Sequence, residues 1–336
     1  MIALYITGAE KGSGKTTICA DLGKHLLNDG KKIGFFKPIF LNGKNIITEG
    51  VDSDVAFMKY LFALKESVDL LCPVFSDGSN LANQIKEAYA KVSQGKDIVI
   101  IEGISEQYEA SRHITETLDA RVIVIEDYAR QSLEAGGSYE DLGGSLLGIV
   151  LNKVPYKQLE YVRSEVFTQF NKAGIHVLGA LPDDRTLFSL TIGDLAEYIQ
   201  GEILSSAEQS AELVENIMIG AMTVDHGPDY FSRKTNKVVV VRSERPDVQL
   251  AALETSTRCL VLTGNTAITS VVLYRAEEKG IPIILARDST TAVLTAIEDA
   301  LGNTRFNEEN KLPRLAEIME QHFDFQMVYK ELGFTS

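Results

Sequence analysis

The sequence predicts an α/β protein: a mostly parallel sheet with helices on both faces, followed by a smaller α/β domain. Three observations predict it. Short runs rich in Val and Ile alternate with helix-periodic segments over about the first 200 residues. Several of those runs, such as Ile98–Ile101, are apolar throughout, as strands covered on both faces must be. A glycine-rich loop at residues 8–14 separates the first run from the first helical pattern.

Taken in order, the predicted strands are Ile2–Ile6, Ile33–Phe36, Ile98–Ile101, Val122–Ile125, Gly148–Leu151 and Val177–Ala180. Helices are expected between them, at Thr16–Asn28, Leu81–Ser93 and Tyr156–Ala173. Ile18, Leu22, Leu26 and Leu27 share one face of the first at helical spacing. A second unit is expected to begin near Ser205, with a helix over Ser206–Ile219 and a strand at Val238–Val241. A helix after Pro246 (Asp247–Glu254), a strand at Cys259–Thr263, a helix at Ile268–Lys279, a strand at Ile281–Ala286 and a helix at Thr290–Leu301 complete it. Leu315, Ile318, Met319 and Phe323 line one face of a predicted C-terminal helix, Arg314–Leu332. The expected domains are therefore 1–204 and 205–312, with an amphipathic helix over 313–336.

At 336 residues the chain exceeds one ordinary core and fits two domains. Its net charge of −14 argues against nucleic acid or an anionic membrane as partner, because either needs clustered Lys and Arg. Three cysteines (Cys19, Cys72 and Cys259) lack metal-ligand spacing and cannot all pair, which suits reduced thiols. No signal-peptide pattern opens the sequence, and no apolar stretch nears the ~20 residues of a membrane helix. A soluble, cytoplasmic protein is expected.

The loop Gly8-Ala-Glu-Lys-Gly-Ser-Gly14-Lys15-Thr16-Thr17 follows a strand and opens a helix, the setting of a phosphate-binding loop. Glycines 8, 12 and 14 let backbone amides turn inward, and the helix N-terminus adds partial positive charge. Lys15 is placed to reach the β- and γ-phosphates of ATP, and the Thr16 hydroxyl to ligate Mg²⁺. The fold class sharpens accordingly to the P-loop NTPase type. Relative to the usual pattern the loop is stretched, with Ala9 where the outer glycine stands and Gly8 one residue further away.

The stretched loop, with Phe36-Lys37-Pro38-Ile39, Asp52-Ser53-Asp54, Ile101-Glu102-Gly103, Leu151-Asn152-Lys153 and Leu181-Pro182 in that order, resembles dethiobiotin synthetase and its relatives, among them a domain of some phosphate acetyltransferases. The resemblance covers about 200 residues. It implies that Gly8, Glu10, Lys11, Gly12, Ser13, Gly14, Lys15, Thr16, Thr17, Asn152 and Pro182 surround ATP, Asn152 reading adenine. It further implies that Lys15 and Lys37 are the catalytic lysines and that Thr16, Asp54 and Glu102 hold Mg²⁺. Simpler readings stay open: a surface lysine for Lys37, a turn or helix cap for Asp52 and Asp54, and a turn cap for Asn152. Glu102, at the mouth of a buried strand, needs a partner in any case. After Gly103 the sequence departs from the synthetase pattern: Ile104-Ser-Glu-Gln107 sets acidic character where the synthetase carries small residues, so the dethiobiotin-forming reaction itself is not expected. Nor is glutaminase activity of the amidotransferase relatives, because Cys259 lies in a predicted buried strand.

Arg245-Pro-Asp-Val-Gln-Leu-Ala-Ala-Leu253, Leu262-Thr-Gly264, Gly280-Ile-Pro-Ile283 and Asp288-Ser-Thr-Thr-Ala292 resemble the DRTGG domain of long phosphate acetyltransferases and of some regulatory proteins, over about 206–310. That resemblance implies ligand sensing or dimerisation. Asp247 and Asp288 are equally well explained as helix caps, and Asp225-His226 is a further, weaker candidate. The sequence ends at Ser336 without a segment resembling the acetyltransferase's catalytic part, so acetyl-phosphate chemistry is not expected. Two functions follow from these readings. One is a regulatory nucleotide-binding protein; the other is an ATP-dependent ligase or phosphoryl-transfer enzyme acting on a small carboxylate or carbamate. A homodimer is expected from the relatives.

Overall fold

The structure is a computed structural model that describes residues 1–8, 10–41, 53–76, 80–103, 108–130, 140–221, 227–302, 304, 306 and 308–334. Ala9, Asp52, residues 104–107 and the pair Asp225-His226 lie outside the described residues. The chain divides into two compact units, Met1–Asp183 with Phe306–Glu308 and Leu312–Ser336, and Asp184–Arg305 with Glu309–Lys311.

The first unit begins with β1 (Ile2–Thr7), α1 (Lys15–Asn28), β2 (Ile33–Phe36), β3 (Ile39–Leu41), α2 (Ser53–Leu61), α3 (Val68–Leu71), β4 (Val74–Ser76) and α4 (Leu81–Ser93). It continues through β5 (Ile98–Glu102), α5 (Tyr108–Leu118), β6 (Arg121–Asp127) and β7 (Leu146–Val154). The expected helix over Tyr156–Ala173 is a composite. A 3₁₀ turn (Tyr156–Gln158) leads to α6 (Leu159–Tyr161), a π segment (Val162–Val166) and α7 (Phe167–Lys172), before β8 (Val177–Pro182). Six strands form a parallel sheet in the order β2-β5-β1-β6-β7-β8. All five residues of β5 are buried, as its unbroken apolar sequence requires. A separate parallel pair, β3 and β4, was not anticipated; three residues apiece are too few to show a period.

The second unit contains β9 (Leu190–Thr191), α8 (Ile192–Tyr198), β10 (Glu202–Ser205), β11 (Leu213–Val214), β12 (Asn216–Ile219), α9 (Gly227–Phe231) and β13 (Lys237–Arg242). It then runs through α10 (Pro246–Leu253), β14 (Thr257–Thr263), α11 (Ser270–Lys279), β15 (Ile283–Ala286) and α12 (Thr290–Gly302). Its sheet is ordered β10-β15-β14-β13-β12, with only β10 antiparallel. Alternate strand residues feed two cores. Val239, Val241, Leu260 and Leu262 pack with α9, α10 and α11, while Val238, Val240, Cys259 and Val261 pack with α8 and α12.

Two expectations are corrected here. Ser206–Ile219 is not a helix: it holds β11 and β12, and β12 pairs with β13 from Asn216↔Lys237 to Ile219↔Val240. Ile217 and Met218 enter opposite cores, so a period of two overrides the apparent helical one. The division between units falls at Asp183/Asp184 rather than at 204/205, because Ile192, Leu195, Ala196 and Ile199 are buried in the second core.

The C-terminal segment closes the first unit as two helices, α13 (Leu312–His322) and α14 (Phe325–Glu331), instead of one over Arg314–Leu332. The break joins two contacts to β8 with one local cap. Phe323 bridges to Gly179, the Asp324 amide donates to the Leu178 carbonyl at 2.7 Å, and the Asp324 carboxylate caps α14 through the Met327 amide at 2.8 Å.

Candidate functional site

The carboxyl ends of β1, β2, β5 and β7 bring most of the expected residues together. At the mouth of β1, Gly14 precedes α1 with φ 102°, a backbone that favours glycine. The first amides of α1 have no carbonyl one turn earlier to bond, so they face the loop interior. The Lys15 ammonium donates to the Glu10 carbonyl (3.1 Å) and the Ser13 hydroxyl (3.4 Å), and thus lies over the loop. Burial pulls its pKa below the ordinary lysine value, opposed by the negative charge of Glu102. Gly8 is needed for space, since a Cβ there would lie 2.5 Å from Ser13 Oγ and 2.6 Å from the Ile125 carbonyl.

A cluster of three charged residues and one hydroxyl lies beside the loop. Thr16 Oγ1 donates to Glu102 Oε1 at 2.7 Å. Lys37 Nζ stands 2.6 Å from Asp54 Oδ2 and 3.2 Å from Glu102 Oε1. Glu102 is 3% exposed, and its second oxygen, Oε2, has no hydrogen-bond partner among the described residues. Burial drives the Glu102 carboxyl above its usual range, and Lys37 opposes the rise. Lys37 is therefore a half-buried, paired cation and not a free surface lysine, and Asp54 faces it from the first turn of α2.

These residues suit a hard cation. Among the described residues no group of three or more His, Cys, Asp or Glu converges. Mg²⁺ asks for less from protein: one or two carboxylates, a hydroxyl and the phosphates of its nucleotide. Thr16, Asp54 and Glu102 supply that oxygen set, and the unpartnered Oε2 is a lone-pair donor already aimed away from protein hydrogen bonds.

The remaining candidates fall around the same edge. Asn152 lies at the end of β7, where its Nδ2 donates to the Ser13 carbonyl at 2.8 Å and its Oδ1 accepts from the Lys153 amide at 2.9 Å. This contact with the loop was not expected from sequence; an Asn closing a strand gave its position but not its partner. Lys153, with φ 57°, turns back so that its ammonium meets Asp127 at 3.0 Å. Asp127 and Asn152 are register partners on β6 and β7. Pro182 is buried at the end of β8, opposite Val154. Lys11 is exposed on the loop, and Thr17 is half-buried one residue beyond Thr16.

Comparison with known families bears on this geometry. The model of the AAA domain family matches residues 3–189, more than half the chain. The chain belongs to that family. A DRTGG domain follows the AAA domain, matched at residues 194–300. The phosphate acetyltransferase of Nitratidesulfovibrio vulgaris is 24% identical over 365 residues, covering 96% of this chain and 50% of that protein. The ATP-dependent dethiobiotin synthetase of Caldicellulosiruptor saccharolyticus is 32% identical over 116 residues, covering 31% of this chain and 48% of the synthetase. Among solved structures, the MinD cell division protein of Aquifex aeolicus matches 56% of this chain and 84% of its own, at 13% identity and a TM-score of 0.40. This AAA–DRTGG chain spans about half the length of the phosphate acetyltransferases it matches. No helix among its described residues is long and apolar enough to cross a membrane.

Proposed function

We propose that the AAA domain binds ATP with Mg²⁺ and that the DRTGG domain senses a ligand or mediates dimerisation, so that the protein is a regulatory nucleotide-binding protein. The observation that carries the reading is the Thr16–Glu102 hydrogen bond beside the loop, with one buried Glu102 oxygen left without a partner among the described residues. In it, the amides of residues 12–17 cradle the phosphates and Lys15 moves from the Glu10 carbonyl to the β- and γ-phosphate oxygens. Thr16, Asp54 and Glu102 hold the cation, which when bound draws off negative charge between the phosphates. Asn152 fixes the loop and, through its remaining N–H, faces the base. A homodimer in the cytoplasm is part of the same proposal.

A second reading has one observation in its favour. Lys37 stands between Asp54 and Glu102, beside the metal-ligating set, where its charge would stabilise a phosphoryl group passing to a small carboxylate or carbamate. One experiment separates the two. Calorimetry with ATP, with and without Mg²⁺, is combined with phosphate release in the presence of a panel of small acids and with the molar mass in solution. Tight Mg²⁺-dependent binding with no acid-dependent turnover and a nucleotide-dependent change of mass supports the regulator. Turnover that rises with one acid supports the ligase, and absence of ATP binding removes both.

A further inference from the structure

We propose that Lys153 and Asp127 are positioning residues for the phosphate loop, their ion pair holding a left-handed bulge in β7 from which Asn152 reaches Ser13. The role rests on the nucleotide-binding reading proposed above. Between the register pairs Leu151↔Ala180 and Val154↔Pro182, β7 advances three residues while β8 advances two, so β7 carries one residue more. Bulges of this kind re-aim side chains beside functional sites. The extra residue falls at Asn152-Lys153, and Lys153 has φ 57°. Glycine takes that backbone freely, whereas a residue with a Cβ takes it under strain. A lysine at this position therefore calls for a compensating contact from its side chain.

Asp127, at the end of β6, supplies one. Lys153 Nζ donates to Asp127 Oδ2 at 3.0 Å, and the two side chains are 26% and 12% exposed. Asp127 Oδ1 accepts from the Ala129 amide at 3.1 Å, so the carboxylate is itself held by the turn after β6. Asp127↔Asn152 is the last pair of the β6–β7 register, and the ion pair clamps the two strands where their pairing ends. The neighbours of Asn152 fix the orientation of its carboxamide. The Ser13 carbonyl can only accept and the Lys153 amide can only donate, so Nδ2 faces the loop at 2.8 Å and Oδ1 faces Lys153 at 2.9 Å. Gly14 lies against the same nitrogen, since a Cβ there would stand 2.1 Å from Nδ2. Were the turn at Lys153 to relax toward ordinary strand, its amide and the Asn152 carboxamide would move together and the bond to Ser13 would be lost. In this role neither Lys153 nor Asp127 contacts nucleotide; both act through Asn152.

The test is calorimetry with inorganic triphosphate, which has no base, on the full chain and four variants. Lys153→Met, Lys153→Gly and Lys153→Asn remove the same charge, so any difference among them reflects the backbone. Lys153→Met should bind triphosphate about three- to fivefold more weakly, the size expected for a partly exposed ion pair. Lys153→Gly or Lys153→Asn, which take a positive φ readily, should recover to within about twofold of the wild type. Asp127→Asn removes a negative charge near a polyanion, which alone would strengthen binding. The positioning role predicts the opposite, weakening to about the level of Lys153→Met. The proposal is overturned by wild-type affinity in Lys153→Met, by Lys153→Gly and Lys153→Asn both as weak as Lys153→Met, or by Asp127→Asn binding as well as the wild type or better. Should the variants fail to fold by circular dichroism, hydrogen exchange of the Lys153 ammonium, followed by ¹⁵N NMR in the unaltered protein, decides instead. Exchange slowed relative to exposed lysines supports the pair, and exchange at their rate overturns it. A wild-type protein that binds neither triphosphate nor ATP removes the nucleotide reading itself, whereas equal binding by all five proteins removes this role alone.

Discussion

The Asn152 carboxamide donates to the Ser13 carbonyl at 2.8 Å, tying the end of β7 to the phosphate loop at the end of β1. Two strands separated by β6 in the sheet are thereby joined across its carboxyl edge. Removing the amide should cost about 1 kcal/mol of loop order, so Asn152→Ala should weaken inorganic triphosphate and ATP alike by roughly five- to tenfold. Any loss of preference for ATP over GTP would come on top, from the base. Calorimetry with the three ligands separates the parts, and unchanged triphosphate affinity would disprove the tie.

Gly14 is excluded from substitution for two separate reasons, its φ of 102° and the collision of any Cβ with Asn152 Nδ2. Gly14→Ala should therefore lose more affinity than Asn152→Ala. The double variant should recover only the steric share, leaving a backbone strain of about 1–2 kcal/mol and the lost Asn152 bond of about 1 kcal/mol. If the double variant binds more weakly than Gly14→Ala by the full effect of Asn152→Ala, the collision contributes nothing.

Lys15→Ala removes a cation that in the free protein bonds to the loop, and whose charge burial already opposes. The fold should survive with little change in melting temperature. ATP affinity should fall by at least about tenfold, because charge-assisted contacts to phosphate are worth about 1.5–3 kcal/mol. Circular dichroism and calorimetry on the same sample check both halves.

Glu102 gives the site a pH dependence. Its carboxyl titrates above the ordinary range, because burial favours the neutral form. The folded protein therefore holds this proton where the unfolded chain has lost it, so apo stability from this group falls as pH rises through that window. Mg²⁺ needs the ionised form, and its enhancement of ATP binding should grow over the same rise in pH. Glu102→Gln should abolish the enhancement at every pH while retaining Mg²⁺-free binding. Enhancement of equal size in the variant would move the metal elsewhere.

Much of this was legible in the sequence, for reasons that differ by element. The strand Ile98–Glu102 declares itself as a short unbroken apolar run and the helix Leu81–Ser93 by its helical period, and each has a clear end. The loop is legible because Gly14, Lys15 and Thr16 act through their own backbone and first neighbours. Pairings across the fold are not written locally: nothing in Leu151-Asn152-Lys153 names Ser13, and nothing in Phe36-Lys37-Pro38 names Asp54. The break at Phe323 was missed for a similar reason, since it depends on the Leu178 carbonyl and on Gly179, whose Cβ would lie 2.5 Å from the His322 carbonyl. The strand at Asn216–Ile219 was read as helix because Ile217, Met218 and Ile219 are three apolar residues in a row, of which the first two enter opposite cores, and four residues are too few to show a period of two.

In the second unit, Gln249 is fully buried on α10, and its Nε2 donates to the carbonyls of Arg242 (2.8 Å) and Ser243 (3.1 Å) at the end of β13. Its Oε1 has no partner among the described residues. Gln249→Leu loses two donations but also removes an unsatisfied acceptor, and the two changes partly offset; about 1 kcal/mol of destabilisation is expected. Gln249→Glu keeps the shape but turns an acceptor toward two carbonyls, which should cost about 3 kcal/mol or more once ionised. The introduced carboxyl can still donate one bond while neutral, so its proton is held more tightly in the folded state than in the unfolded one. Stability of Gln249→Glu should accordingly be near that of Gln249→Leu at acidic pH and drop below it as pH rises past the ordinary carboxylate range. Thermal melts of both variants across pH test the order. Parallel curves would mean that packing, and not the two carbonyl contacts, accounts for a glutamine in this core.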